Sequence, residues 1–312
     1  MANPRVIISG ACCATALCAG GVIGPPGAAF ALLALPLPAL VVGGAGGTLH
    51  AALSSLAAGG LMSGLFGWSA GAAFLAVAGV PAVVAVLLLR RAWRLEAVVV
   101  IAVAATLAGA VLLGVAHAPN AHAWREAMAQ TWRGSFDAAL QMYRDLGTPA
   151  DRLAEMESAR DEIGRRVATL LPALLVVGSA ALWLGNLGLS RRWASWPQLD
   201  TLSRWRTADW VIWCLIGSGF AMFLPLGAVA EASLNTFAVV LACYFAQGLA
   251  IVSYFFHRFG LPRGLRIATY LVIGLQQVAA ALVVVLGVFD LWGDFRHLAA
   301  RPADAAVGSD PE

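Results

Sequence analysis

The run "LEAVVVIAVAATLAGAVLLGVAH", residues 95–117, carries one carboxylate, Glu96, and no other charged side chain. Lipid cannot satisfy backbone N–H and C=O groups, so an apolar run of this length is stable in a bilayer only as a helix. About 20 residues suffice to cross the hydrocarbon core. Comparable runs fall at 5–24, 27–43, 45–66, 68–89, 167–189, 208–228, 233–257 and 264–290. The pattern predicts an all-α fold: a polytopic transmembrane helix bundle of eight to nine spans, nine as counted here. Pro36 and Pro38 interrupt the second run, and "GGAGG" at 43–47 is the only break before the third. A re-entrant helix over 27–66 therefore stays open.

Composition agrees. Hydrophobic residues make up 60% of the 312-residue chain and charged ones 12%, outside the soluble globular range. Every basic residue is arginine, and the net charge of +3 is scattered, so no basic stripe suggests nucleic acid. The cysteines lie inside apolar runs without a CxxC pair and read as small buried hydrophobes. The N-terminus resembles a signal peptide, but its apolar run is as long as a span and leads into further apolar segments. It reads as an uncleaved first span.

Arginines set the expected orientation. Arg90, Arg91 and Arg94, then Arg191, Arg192, Arg204 and Arg206, then Arg258, Arg263 and Arg266 are separated by two spans each. All three groups then share one side, cytoplasmic by the positive-inside rule, with Arg5 beside them. That puts the N-terminus inside. Seven arginines in 118–166 stand against this assignment.

The expected organisation is a Gly/Ala-rich transmembrane bundle over 1–117, an extramembrane helical hairpin over 118–166, a transmembrane bundle over 167–296 and a disordered tail over 297–312. In the hairpin, Trp124, Met128, Trp132, Phe136, Leu140 and Tyr143 form a helical stripe. "DLGTPAD" then ends one helix at Gly147 and starts another, with Thr148 as N-cap and Pro149 in the first turn. The stripe either packs against the second helix or lies in the headgroup layer. His117 and His122 are five apart, which misses the spacing of a helical metal pair, and no metal or cofactor is expected.

Ala51, Ser55 and Gly59, and Ser63, Gly67 and Gly71, stand four apart, a spacing that lets helices approach closely in lipid. Gly59, Gly67, Gly71 and Gly248 are the expected packing glycines.

Polar groups inside spans are the best pointers to function in such a chain. No span carries a mid-membrane acid or arginine. What remains is amide: Gln247 lies about 15 Å into its span, and Gln276 and Gln277 lie at a similar depth in the next. Two readings stay open. The amides bond each other as glue worth about 0.6–2 kcal/mol, or they face a cavity and bind a small polar molecule. Asn186 joins them as a candidate. Asp290 and Asp294 read as a solvated helix end beside Arg296. No GxSxG or HExxH appears, so an enzyme is not expected.

The segments "MYRDLG", "NLGLSRR", "DWVIW", "YFAQGLAIVSYFFHRFGLPRGLRIATYL" and "GVFDLWGDFR" occur in this order. In this the chain resembles the YybS-like family of multi-pass bacterial inner-membrane proteins, most closely from residue 165 onward. Asn186, Gln247, Gly248, Asp290, Asp294, Phe295 and Arg296 stand at that family's marked positions. The family is distantly similar to the substrate-binding subunits of energy-coupling-factor transporters, although this chain has more spans, an inserted hairpin and no vitamin-contacting motif. The resemblance implies a small-molecule-binding or transport-related subunit working with other membrane subunits or an ATPase module, since the chain has no ATPase motif of its own. The rival is a non-transporting membrane scaffold serving envelope growth or division.

Overall fold

The computed structural model describes residues 4–20, 33–117, 120–197, 199 and 205–293. Asp294, Phe295, Arg296, the tail 297–312 and the first part of the expected second span lie outside the described residues. So do the side chains of His117, His122, Trp124 and Met128. Every regular element among the described residues is a helix. The chain divides into two compact units, Met1–Leu199 and Asp200–Glu312.

The first unit holds α1 Pro4–Gly20, α2 Leu37–Gly46, α3 Thr48–Phe66, α4 Trp68–Arg90, α5 Leu95–His117, α6 Ala121–Asp145, α7 Ala150–Ser158 and α8 Arg160–Ser190. The second holds α9 Val211–Ala221, α10 Gly227–Arg258, α11 Arg263–Leu275 and α12 Gln277–Gly293. By length and composition α3, α4, α5, α8 and α10 can each cross a bilayer. The pair α11–α12, bent by 101°, makes a sixth only if it counts as one span.

The expected nine crossings are therefore not reached by length among the described residues. Helices α1, α2 and α9, at the first, second and seventh expected spans, are apolar but short. Proline accounts for two of these limits. Helix α2 begins only at Leu37, with Pro38 in its first turn, and α9 stops at Ala221 shortly before Pro225.

Small residues build the first unit's interior. Ala51, Ala82, Ala85 and Ala102 are fully buried, and so is Trp183, its Nε1 donating to Thr106 Oγ1 at 3.1 Å. A Cβ added at Gly71 would overlap Ser63 and the Gly59 carbonyl, and one at Gly59 would press on Leu75. This close approach lets van der Waals contact hold helices together where lipid supplies no hydrophobic drive. Gly67 serves differently: its φ of 92° forms the break between α3 and α4, with nothing within 4 Å of an added Cβ.

The part of the α6 stripe from Trp132 to Leu140 packs inward, while Tyr143 is exposed. Gly164 lies against Trp132, Arg160 sits 5.5 Å above the Phe136 ring and 2.8 Å from Asp137, and Leu140 is buried. Gly147, at φ 78°, ends α6 in a Schellman turn: Thr148 N–H donates to Tyr143 O and Gly147 N–H to Arg144 O. The next helix starts at Ala150, with Pro149 rather than Thr148 as its N-cap.

Several loops of the first unit meet at one end. Arg90, at the end of α4, donates to the carbonyls of Gly43 and Gly44 at 3.1 Å each. A Cβ at Gly44 would meet Ala194 and Trp196, in the turn after α8. Gly10 lies against Ser54, and Ala11 and Ala14 pack with Ala58 and Met62, so α1 runs parallel to α3 and Arg5 stands at this same end.

Candidate functional site

In the second unit α10 and α12 run antiparallel in close contact. Gly248 lies against the Val283 carbonyl and Gly287 against the Tyr244 carbonyl, so closely that a Cβ at either would overlap the opposing oxygen. Residues 244 and 248 thus oppose 287 and 283. Continuing this register places Gln277 near the level of Tyr254, toward the Arg258 end of α10.

The side chains between these helices form a polar circuit. Gln247 Oε1 accepts from the Thr207 backbone N–H at 3.0 Å, and Gln247 Nε2 donates to Asp290 Oδ2 at 3.1 Å. One residue before Thr207, Arg206 donates to the Leu291 carbonyl at 3.1 Å. Adjacent residues of the segment entering α9 are therefore tied to α10 and to α12. Gln247 and Asp290 are each 1% exposed, and Asp290 is the one charged side chain in the buried interior among the described residues.

This arrangement corrects three expectations. Asp290 is not a solvated helix end, because α10 covers it. Gln247 is bonded to Asp290 and Thr207 rather than to Gln276 or Gln277. Those two glutamines do not share its depth: Gln276 adopts extended backbone, φ −104° and ψ 110°, which ends α11, and both side chains are exposed at the bend. Asn186, in the first unit, is buried, its Nδ2 donating to Leu33 O at 2.7 Å and Leu182 O at 2.8 Å.

Toward the start of α10, away from the circuit, lies an open cleft of about 470 Å³ between α9 and α10, lined by Cys214, Gly217 and Ser218 from α9 and by Ala232, Ser233 and Thr236 from α10, among others. Its walls are small because these positions carry Gly, Ala, Ser and Thr. Ser218 and Thr236 donate to carbonyls one turn back in their own helices, to Cys214 O and Ala232 O, which leaves the cleft mainly apolar. Deeper on α10, Tyr244 is 1% exposed, packs with Ile212, Val240 and Cys214, and has a buried hydroxyl with no hydrogen-bond partner. Among the described residues no cluster of His, Cys, Asp and Glu could hold a metal ion.

Sequence reasoning missed the cleft and the role of Asp290. The cleft's only signal is the run of small residues in "CLIGSGFA" facing "GAVAEASLNT", which composition alone does not separate from packing. Asp290 had a signal: it lies three residues past Gly287, on the face where α12 meets α10.

A family model described as "Predicted membrane protein (DUF2232)" matches residues 12–291. No curated protein and no solved structure matches the chain. The match runs through both units and carries the apolar helices together with Asn186, Gln247, Gly248 and Asp290. The chain belongs to this DUF2232 family of predicted membrane proteins.

Proposed function

We propose that this membrane protein is a small-molecule-binding, transport-related subunit of the bacterial inner membrane, with its ligand seated in the α9–α10 cleft. The observation that carries the reading is the cleft itself. It is a largely open groove of about 470 Å³, and its mostly apolar wall with few polar groups is the usual chemistry of ligand sites. The unpartnered Tyr244 hydroxyl behind Cys214 offers one further polar contact to an occupant that reaches it. The ligand that suits these walls is apolar or amphipathic and enters from the lipid side. Gln276 and Gln277 stand outside the cleft lining, and Gln247 supports it by holding the segment that leads into α9. Energy for transport would come from partner subunits, since the chain has no ATPase motif of its own. The arginine-rich end of the first unit is cytoplasmic in this reading, which places the N-terminus inside.

The test is to purify the protein from its native membrane and analyse both its organic extract and its bound proteins by mass spectrometry. A stoichiometric small molecule supports the proposal. An empty protein that keeps stable protein partners overturns it in favour of a scaffold.

A further inference from the structure

The end of the first unit where α2, α4 and α8 meet carries an unusual density of hydrogen-bond donors. Arg90 ends α4, Arg91 and Arg94 follow it, and Arg191 and Arg192 follow α8. The bonds from Arg90 to Gly43 and Gly44, and the packing of Gly44 against Ala194 and Trp196, bring these turns together. Among the described residues of these turns the only carboxylate is Glu96, 3.5 Å from Arg94.

Three details separate this end from a merely basic loop. Arg90 spends two of its five N–H donors on the α2 carbonyls, so its fork is held in place with donors to spare. Trp196 is 6% exposed and packs beside Gly44, and its indole N–H is buried without a hydrogen-bond partner. Trp93 and Trp193, 43% and 57% exposed, flank the arginines with the amphipathic rings that favour headgroup depth.

We propose that this end binds the phosphate of an anionic phospholipid, with Arg90, Arg91 and Arg192 facing the headgroup and Trp93 and Trp193 flanking it at the acyl boundary. Guanidinium forks match phosphate oxygens in pairs, and basic pockets between helices on the cytoplasmic side suit such headgroups. The exposed indoles favour a lipid over a soluble anion, which needs no apolar flank. This site is separate from the α9–α10 cleft and stands or falls independently of it.

The test uses the full chain in detergent, with thermal stabilisation read against added phosphatidylglycerol, phosphatidylcholine or inorganic phosphate. Arg91→Ala/Arg192→Ala removes two exposed guanidiniums and leaves the Arg90 bonds intact. Trp196→Phe removes one N–H and keeps the ring. Phosphatidylglycerol is expected to stabilise the wild type, and the double variant to weaken its apparent affinity about thirtyfold. Trp196→Phe is expected to weaken it less. Equal stabilisation by phosphatidylcholine, an undiminished response in the double variant, or full stabilisation by inorganic phosphate alone would each overturn the assignment.

Discussion

The Gln247 amide and the Asp290 carboxylate meet at 3.1 Å between α10 and α12, both almost wholly buried. Because the other end of the same amide accepts from the Thr207 N–H, one glutamine joins three segments. Gln247→Leu removes a donor from a buried carboxylate and leaves the Thr207 N–H without its acceptor. A loss of about 2–3 kcal/mol is expected, read as a lowered unfolding temperature in detergent. Gln247→Leu/Asp290→Leu should cost less than the sum of the two single changes, since no carboxylate is then stranded. Additive losses would mean that the pair does not interact.

Close approach at Gly248 makes a sharper steric prediction. Gly248→Ala sets a methyl group against the Val283 carbonyl and should destabilise by about 1–3 kcal/mol. Gly178, inside α8, has nothing within 4 Å of an added Cβ. Gly178→Ala should therefore be neutral or gain up to about 1 kcal/mol from helix propensity. Thermal unfolding of the two variants side by side decides the matter.

Arg90 caps the carbonyl end of α2 from the end of α4. Arg90→Ala should lose about 1–2 kcal/mol, as two charge-assisted hydrogen bonds at a partly exposed site disappear. Arg90→Lys, a point charge without a fork, should recover only part of that. Full recovery by lysine would show that charge alone matters there.

The bend at Gln276 sets the last two described helices at 101° to each other. With α12 paired antiparallel to α10, α11 runs across their axis, its Arg263 and Arg266 on one side and Ile267, Leu271 and Leu275 exposed. Such an amphipathic helix suits the membrane interface. In a cysteine-free background, Gln276→Cys should react with a membrane-impermeant maleimide added on the side of Arg258. Labelling only from the opposite side would mean that α11 crosses the bilayer.

Hydropathy alone made the helices at 48–66, 68–90, 95–117, 160–190 and 227–258 legible, because lipid leaves the backbone no other choice. It could not tell how far α2 and α9 extend, since proline sets those limits. Gln247 was legible as an anomaly, an amide deep in an apolar run. Its partner was not, because depth along two helices does not reveal where one of them breaks. Gln276 has no proline beside it; the warning was the arginine-bearing, amphipathic pattern of 263–275 followed by the uniformly apolar 278–289. Asp290 lay near the end of an apolar run, where a carboxylate ordinarily meets water, and only the antiparallel register with α10 buries it.

The proposed ligand site is the cleft between α9 and α10. Ala232→Phe fills that cleft without touching Gln247 or Asp290, and mass spectrometry of the organic extract can compare it with the wild type at matched thermal stability. A bound molecule is expected in the wild type and is expected to disappear in the variant. An identical bound molecule in both, or none in either, would contradict it.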